Sequence, residues 1–232
     1  MTITHTTLIR ASGGAAMAAG AIFAAVQIGH PKLTAASVAT TNVEVRDSLK
    51  VLMCALALVG ITGMYLSQVR RNGLLGLIGY LVLAAGYLGI MCIVFAAAYV
   101  LPEVTGSNPG FVHDVIAVDT NRGTANGDIG PLKTVILLQG FAYVAGGVLF
   151  GIALYRAHVL ARWASVLLAI GGVAAAVLGL MPDAYYRLLA YPNAIAMIGL
   201  GYSLWRTAQP SATTHPATSP APAPSVQPPV PQ

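Results

Sequence analysis

The chain has 232 residues, of which 56% are hydrophobic and only 8% charged. Soluble domains carry about 25% charged residues, so this composition excludes a water-soluble surface and turns the apolar content toward lipid. The net charge of +5 comes from basic residues scattered as singles and the pair Arg70-Arg71. That scatter excludes the contiguous basic patch needed to bind nucleic acid.

Six apolar runs recur along the chain, and no Asp, Glu, Lys or Arg falls in the middle of one. A helix crosses a bilayer core of about 30 Å with about 20 apolar residues. In lipid each run must satisfy its own backbone, which requires a helix. The first run, 11–29, follows Arg10 and stops at His30-Pro31. It competes with a signal peptide cleaved near Ala19-Gly20-Ala21, but its length favours a span. The loop after it holds Thr41 and Glu44 at capping-box spacing, so the second helix starts there and protrudes ahead of the run at 49–69. The third run covers 74–101.

The longest connection, 102–132, contains an amphipathic segment from Phe111 to Val118. Asp119, Asn121, Gly123, Asn126, Gly127 and Asp128 follow. Their spacing misses the calcium-loop pattern and its closing Glu, which leaves a flexible, solvated loop. In the fourth run, 133–155, Gly147 and Gly151 stack four apart, a spacing that brings backbones together within one bundle or, as an alternative, between two copies. The fifth and sixth runs are 159–181 and 188–205. Residues 1–207 therefore form one transmembrane domain, an all-α polytopic bundle of six helices. The remainder, 208–232, carries eight prolines and should be disordered.

With the amino terminus inside, Arg10, Arg70, Arg71, Arg156, Arg162 and Arg206 fall inside and Lys32, Arg46, Lys50, Arg122, Lys133 and Arg187 outside. The tie is broken because the inner segments are very short and hold Trp163 and Trp205, and the positive-inside rule counts basic residues in short loops. Both termini are then cytoplasmic, in the cell (plasma or inner) membrane. Odd helices pair an early arginine with a closing proline (Pro31, Pro102, Pro182), and even helices end in Gly-x-x-Leu, a pattern that suggests three related hairpins. Cys54 and Cys92 both lie inside runs and read as small buried hydrophobes rather than a bridge. Nine Arg against three Lys, with abundant Ala and Gly, point to a bacterial chain from a GC-rich genome.

Charged groups inside a membrane usually mark ion or proton paths, and here the run centres are empty. What polar material exists leans toward the outer face. Gln27, His30, Glu103, His113, Gln139, Asp183, Arg187 and Asn193 are the candidate lining of an outer pocket. The competing reading makes Gln139 and Asn193 interhelical hydrogen-bonding groups. Convergence of Gln27, Gln139 and Asn193 on one cavity would favour transport. An enzyme would need His30 or His113 within reach of Glu103 or Asp183. No nucleophile, phosphate-loop, metal or cofactor motif is present.

The stretch 147–164, from Gly147 through Tyr155-Arg156 to Trp163, resembles the helix four–five junction of uncharacterised six-helix bacterial membrane proteins. So do 26–31 closing helix one and 58–66 in helix two. Ala161 departs from the proline common at that junction. The resemblance implies the six-helix fold over about residues 8–206 and transfers no catalytic residue. The resulting expectation is a non-enzymatic integral membrane protein with a structural or accessory role, whose partners are the lipid bilayer and either a further copy or another membrane protein. The alternative is a transporter of a small or lipid-like solute through an outward-facing pocket.

Overall fold

A computed structural model describes residues 4–178, 188 and 190–208, and the chain is all-helical with no strand among them. Its elements are α1 (His5–Ala25), α2 (Ala35–Val38), α3 (Thr41–Leu66), α4 (Val69–Tyr99), α5 (Leu101–Thr105), α6 (Pro109–Thr120), α7 (Pro131–Ala157), α8 (Arg162–Leu178) and α9 (Ala190–Thr207). Four of these, α1, α3, α4 and α7, are long and apolar enough to cross a membrane, and Arg162–Ala174 forms a shorter apolar helix. All of the expected tail 208–232 but its first residue, and the sites Asp183 and Arg187, lie outside the described residues.

The six long helices form a ring in chain order. Each packs on its neighbour, from α1 to α3, α4, α7, α8 and α9, and α9 returns to close on α1. Small residues make this closure possible. A Cβ at Gly13 would lie 2.7 Å from the Gly201 carbonyl oxygen, and one at Gly201 would lie 2.6 Å from that of Gly13. The centre is filled by Ile61, Met64, Leu83, Phe150, Leu154, Met197 and Leu200, all fully buried. Outward faces stay apolar, with Leu74, Leu138 and Phe141 exposed by 71%, 62% and 72%. Such a surface suits lipid and not water.

The Gly147–Gly151 row is occupied within the chain. A Cβ at Gly151 would meet the Ser165 carbonyl at 2.7 Å, and Gly147 faces Gly172. Both neighbours belong to α8, as the intramolecular reading expects. The two cysteines are free, Cys54 buried and Cys92 exposed.

Helix ends differ from the expected ones for local reasons. The α1 helix starts at its Thr4 cap, whose hydroxyl accepts from Thr7 N, and stops at Ala25, six residues before Pro31. Its closing turn ends at Gly29, whose φ of 61° favours glycine. Helical bonding in α4 begins at Val69, but Gly73 (φ 56°, ψ −162°) breaks it, and the regular span resumes at Leu74. The α3 cap is Thr40 rather than Thr41, and it makes no side-chain capping bond. The capping box stands instead at Thr34 and Ser37, ahead of α2. With 26 residues, α3 is about 39 Å long and overshoots a bilayer core.

The long connection is not a loose loop. Helices α2, α5 and α6 form a cap over one end of the ring, with its own core of Val38, Val43, Ile93, Leu101, Val112, Val115, Ile129 and Ile136. The glycine-rich stretch after α6 is held to it by Asp114, whose carboxylate accepts from Asn126 N and Gly127 N, each at 2.9 Å, and from His113 Nδ1 at 3.2 Å. Those donors, the Asn126 N–H first, hold the Asp114 carboxyl below its usual range.

Candidate functional site: a vestibule beneath the cap

Between the cap and the ends of α1 and α3 lies a cavity of about 730 Å³. Its floor is built by the chain leaving α1. Arg46 Nη1 donates to the carbonyls of Val26 and Ile28, both at 2.9 Å, and Nε donates to Asn42 Oδ1 at 2.6 Å. This ties the unwound end of α1 to α3 and sets His30 over the first turns of α3. His30 Nδ1 lies 2.8 Å from the Pro31 carbonyl. A carbonyl only accepts, so Nδ1 carries the proton and the neutral ring offers Nε2 as an acceptor. Lys50 Nζ donates to that Nε2 at 3.0 Å and to Asp47 Oδ1 at 2.6 Å. Asp47 is only 2% exposed, and its burial is tolerable because Lys50 pairs with it.

Of the expected pocket residues, Gln27, His30 and His113 share this cavity. Glu103 is exposed on α5 and does not line it. Gln139 is drawn into the α4–α7 seam, its Cβ against Gly89 and its Oε1 buried without a hydrogen-bond partner among the described residues. Asn193 is buried in the ring, where Nδ2 donates to Tyr143 Oη at 3.0 Å. That bond joins α9 to α7, the interhelical role weighed for it, worth about 0.6–2 kcal/mol. The convergence of Gln27, Gln139 and Asn193 that transport would favour is therefore not found. Neither His30 nor His113 bonds Glu103; His113 bonds Asp114. No group of three His, Cys, Asp or Glu that could hold a metal occurs among the described residues.

Three residues of the site carry no recognisable motif: Asp47, Lys50 and Asp119. Asp47 and Lys50 stand three apart at the cap end of α3, a spacing that puts them on one helix face. Asp119 opens onto the cavity from the end of α6. Although cavity water reaches it, the surrounding protein withholds bulk solvation and pushes its carboxyl up to about 6. Lys50 pulls the value down, and Asp47 pushes it further up.

This shift has a sign. The folded state holds the Asp119 proton more tightly than an unfolded chain titrating near 3.8. Stability therefore falls as pH rises from about 4 to about 6, and the full penalty persists above. Water at the cavity mouth screens it to about 1 kcal/mol. Asp119→Asn should raise the melting temperature at pH 7.5 and leave it unchanged at pH 4, measured by thermal unfolding in detergent. An equal shift at both pH values would show that ionisation of Asp119 is not the cause.

No protein-family model, no curated protein and no solved structure matches the chain.

Proposed function

We propose that the chain is a six-span integral membrane protein of the cell membrane, both termini cytoplasmic, with a structural or accessory and non-enzymatic role. The observation that carries this reading is the filled centre of the ring. A belt of fully buried Phe150, Ile61, Met64 and Leu200 lies where a conducting path would run. The ring also needs α8 and α9 beside α7 and α1 to close, which favours six crossings over four.

Orientation draws support from the end opposite the cap. His5, Ser67, Val159 and Thr207 line one small cavity there, so the start of α1, the end of α9 and both short turns meet. Arginines and aromatics stack at that end: Arg10 over Trp205 at 5.0 Å, and Arg162 over Tyr155 at 4.1 Å. Such pairs suit a cytoplasmic interface. A reporter fused after Arg206 should read cytoplasmic, and one inserted after Ser107 should read external. The reverse pattern would overturn the orientation, and a reporter after Arg206 opposite in side to one at the amino terminus would overturn the even number of crossings.

A second reading, solute capture from outside, is favoured by the vestibule itself. The accessory role predicts a stoichiometric membrane partner retained in mild detergent. Solute movement into vesicles holding the chain alone would favour the second reading.

A further inference from the structure

The vestibule presents a donor and an acceptor of opposite charge that do not satisfy each other. An ammonium has three hydrogens, and Asp47 and His30 take two of those on Lys50. Asp119 makes no hydrogen bond or ion pair with any described residue, yet it feels the charge of Lys50. The two groups therefore share one cavity with space between them. Gln27 also lines it, and its side chain makes no hydrogen bond with a described residue. Lys32 and Arg122 also line the cavity, each already engaged by an interaction of its own, and Leu33, Ala35, Ile116 and Ala117 add aliphatic wall. The cavity volume, about 730 Å³, falls within the range of about 300–1,000 Å³ typical of small-molecule pockets.

We infer that the vestibule binds a small aliphatic zwitterion of the amino-acid class, with its carboxylate on Lys50 and Gln27 and its ammonium on Asp119. With Lys32 and Arg122 engaged elsewhere, charge matching to Lys50 and Asp119 selects this class. A simple anion satisfies Lys50 but meets the Asp119 carboxylate with repulsion. A simple cation satisfies Asp119 and leaves the ammonium of Lys50 opposed. A molecule with both charges satisfies both walls at once, and the aliphatic wall covers its side chain. The Asp47–Lys50–His30 chain fixes the ammonium in place, so little side-chain freedom is lost on binding.

The inference deepens the solute-capture reading but does not need transport. Binding without movement across a vesicle would leave it standing and remove only a carrier role. The test is thermal unfolding of the full chain in mild detergent with L-leucine, isocaproate, which keeps only the carboxylate, and isoamylamine, which keeps only the ammonium. Stabilisation tracks occupancy of the folded state. L-leucine should raise the melting temperature in a saturable way, and each single-charge analogue should bind at least about tenfold more weakly. Asp119→Asn, which breaks no bond among the described residues, should weaken L-leucine at least about tenfold and leave isocaproate as tight or tighter. Isocaproate matching L-leucine on the parent chain, L-leucine binding unchanged in Asp119→Asn, or no response to L-leucine would each overturn the inference. Lys50→Met removes the counter-ion of Asp47 and can unfold the chain. Gln27→Leu therefore serves as the second variant, with a loss of L-leucine affinity expected and an unchanged affinity counting against the assignment.

Discussion

Gly86→Val is expected to abolish recovery of a monodisperse folded protein, while Gly140→Ala, on α7 in the same seam region, is expected to be neutral or slightly stabilising. At Gly86 a Cβ would lie 2.6 Å from both N and Cα of Tyr143. These are backbone atoms, so no rotamer change can relieve the clash, and α4 would have to part from α7. Gly79 repeats the arrangement about two turns away on the same face, 2.6 Å from Phe150 N, and Gly146 answers from α7 against the Leu83 backbone. Overpacking of this kind costs about 3 kcal/mol or more. In lipid there is little hydrophobic drive to hold helices together once close packing is lost. At Gly140 nothing stands within 4 Å of an added Cβ, so alanine there gains helix propensity of up to about 1 kcal/mol. Size-exclusion profiles and melting temperatures in one detergent distinguish the two. Equal behaviour of the two variants would mean that the α4–α7 seam is not as close as its glycines indicate.

The same seam shows what was legible in the sequence. Long apolar runs announce helices because only a helix satisfies its backbone in lipid, and a helix lies over every run. Their ends were harder to read. Residues 41–48 are polar and only the capping-box spacing of Thr41 and Glu44 marked them as helix; α3 does run through them, with Val43 in the core of the cap. That core is formed by residues far apart in sequence, from Val38 to Ile136, and no local period reveals it. The vestibule was half legible. Gln27 and His30 stood out as polar residues closing an apolar run, and His113 as a histidine in the long connection. Lys50 and Arg46 read only as topology charges, because their partners, His30 and the Val26 and Ile28 carbonyls, come from another helix. Gln139 and Asn193 misled for the opposite reason: polarity within a span fits a pocket and a helix–helix hydrogen bond equally, and only the neighbours, Gly89 and Tyr143, decide.

Asp47→Leu is expected to destabilise the chain by about 3 kcal/mol or more, and the double variant Asp47→Leu/Lys50→Met to recover most of that loss. The asymmetry follows from where the two charges sit. Asp47 is 2% exposed and the Lys50 side chain 17%, so neither can turn to bulk water when its partner is lost. Removing Asp47 alone leaves an ammonium held only by the neutral His30 ring and the distant Asp119. Removing both leaves apolar groups of similar size in place of the buried pair, and such replacements are often neutral or better. Stability and binding should then separate. The double variant should melt near the parent temperature but lose the L-leucine response, because the donor that faces Asp119 is gone. A double variant as unstable as Asp47→Leu would show that the pair is needed for the fold and not retained for what the vestibule holds.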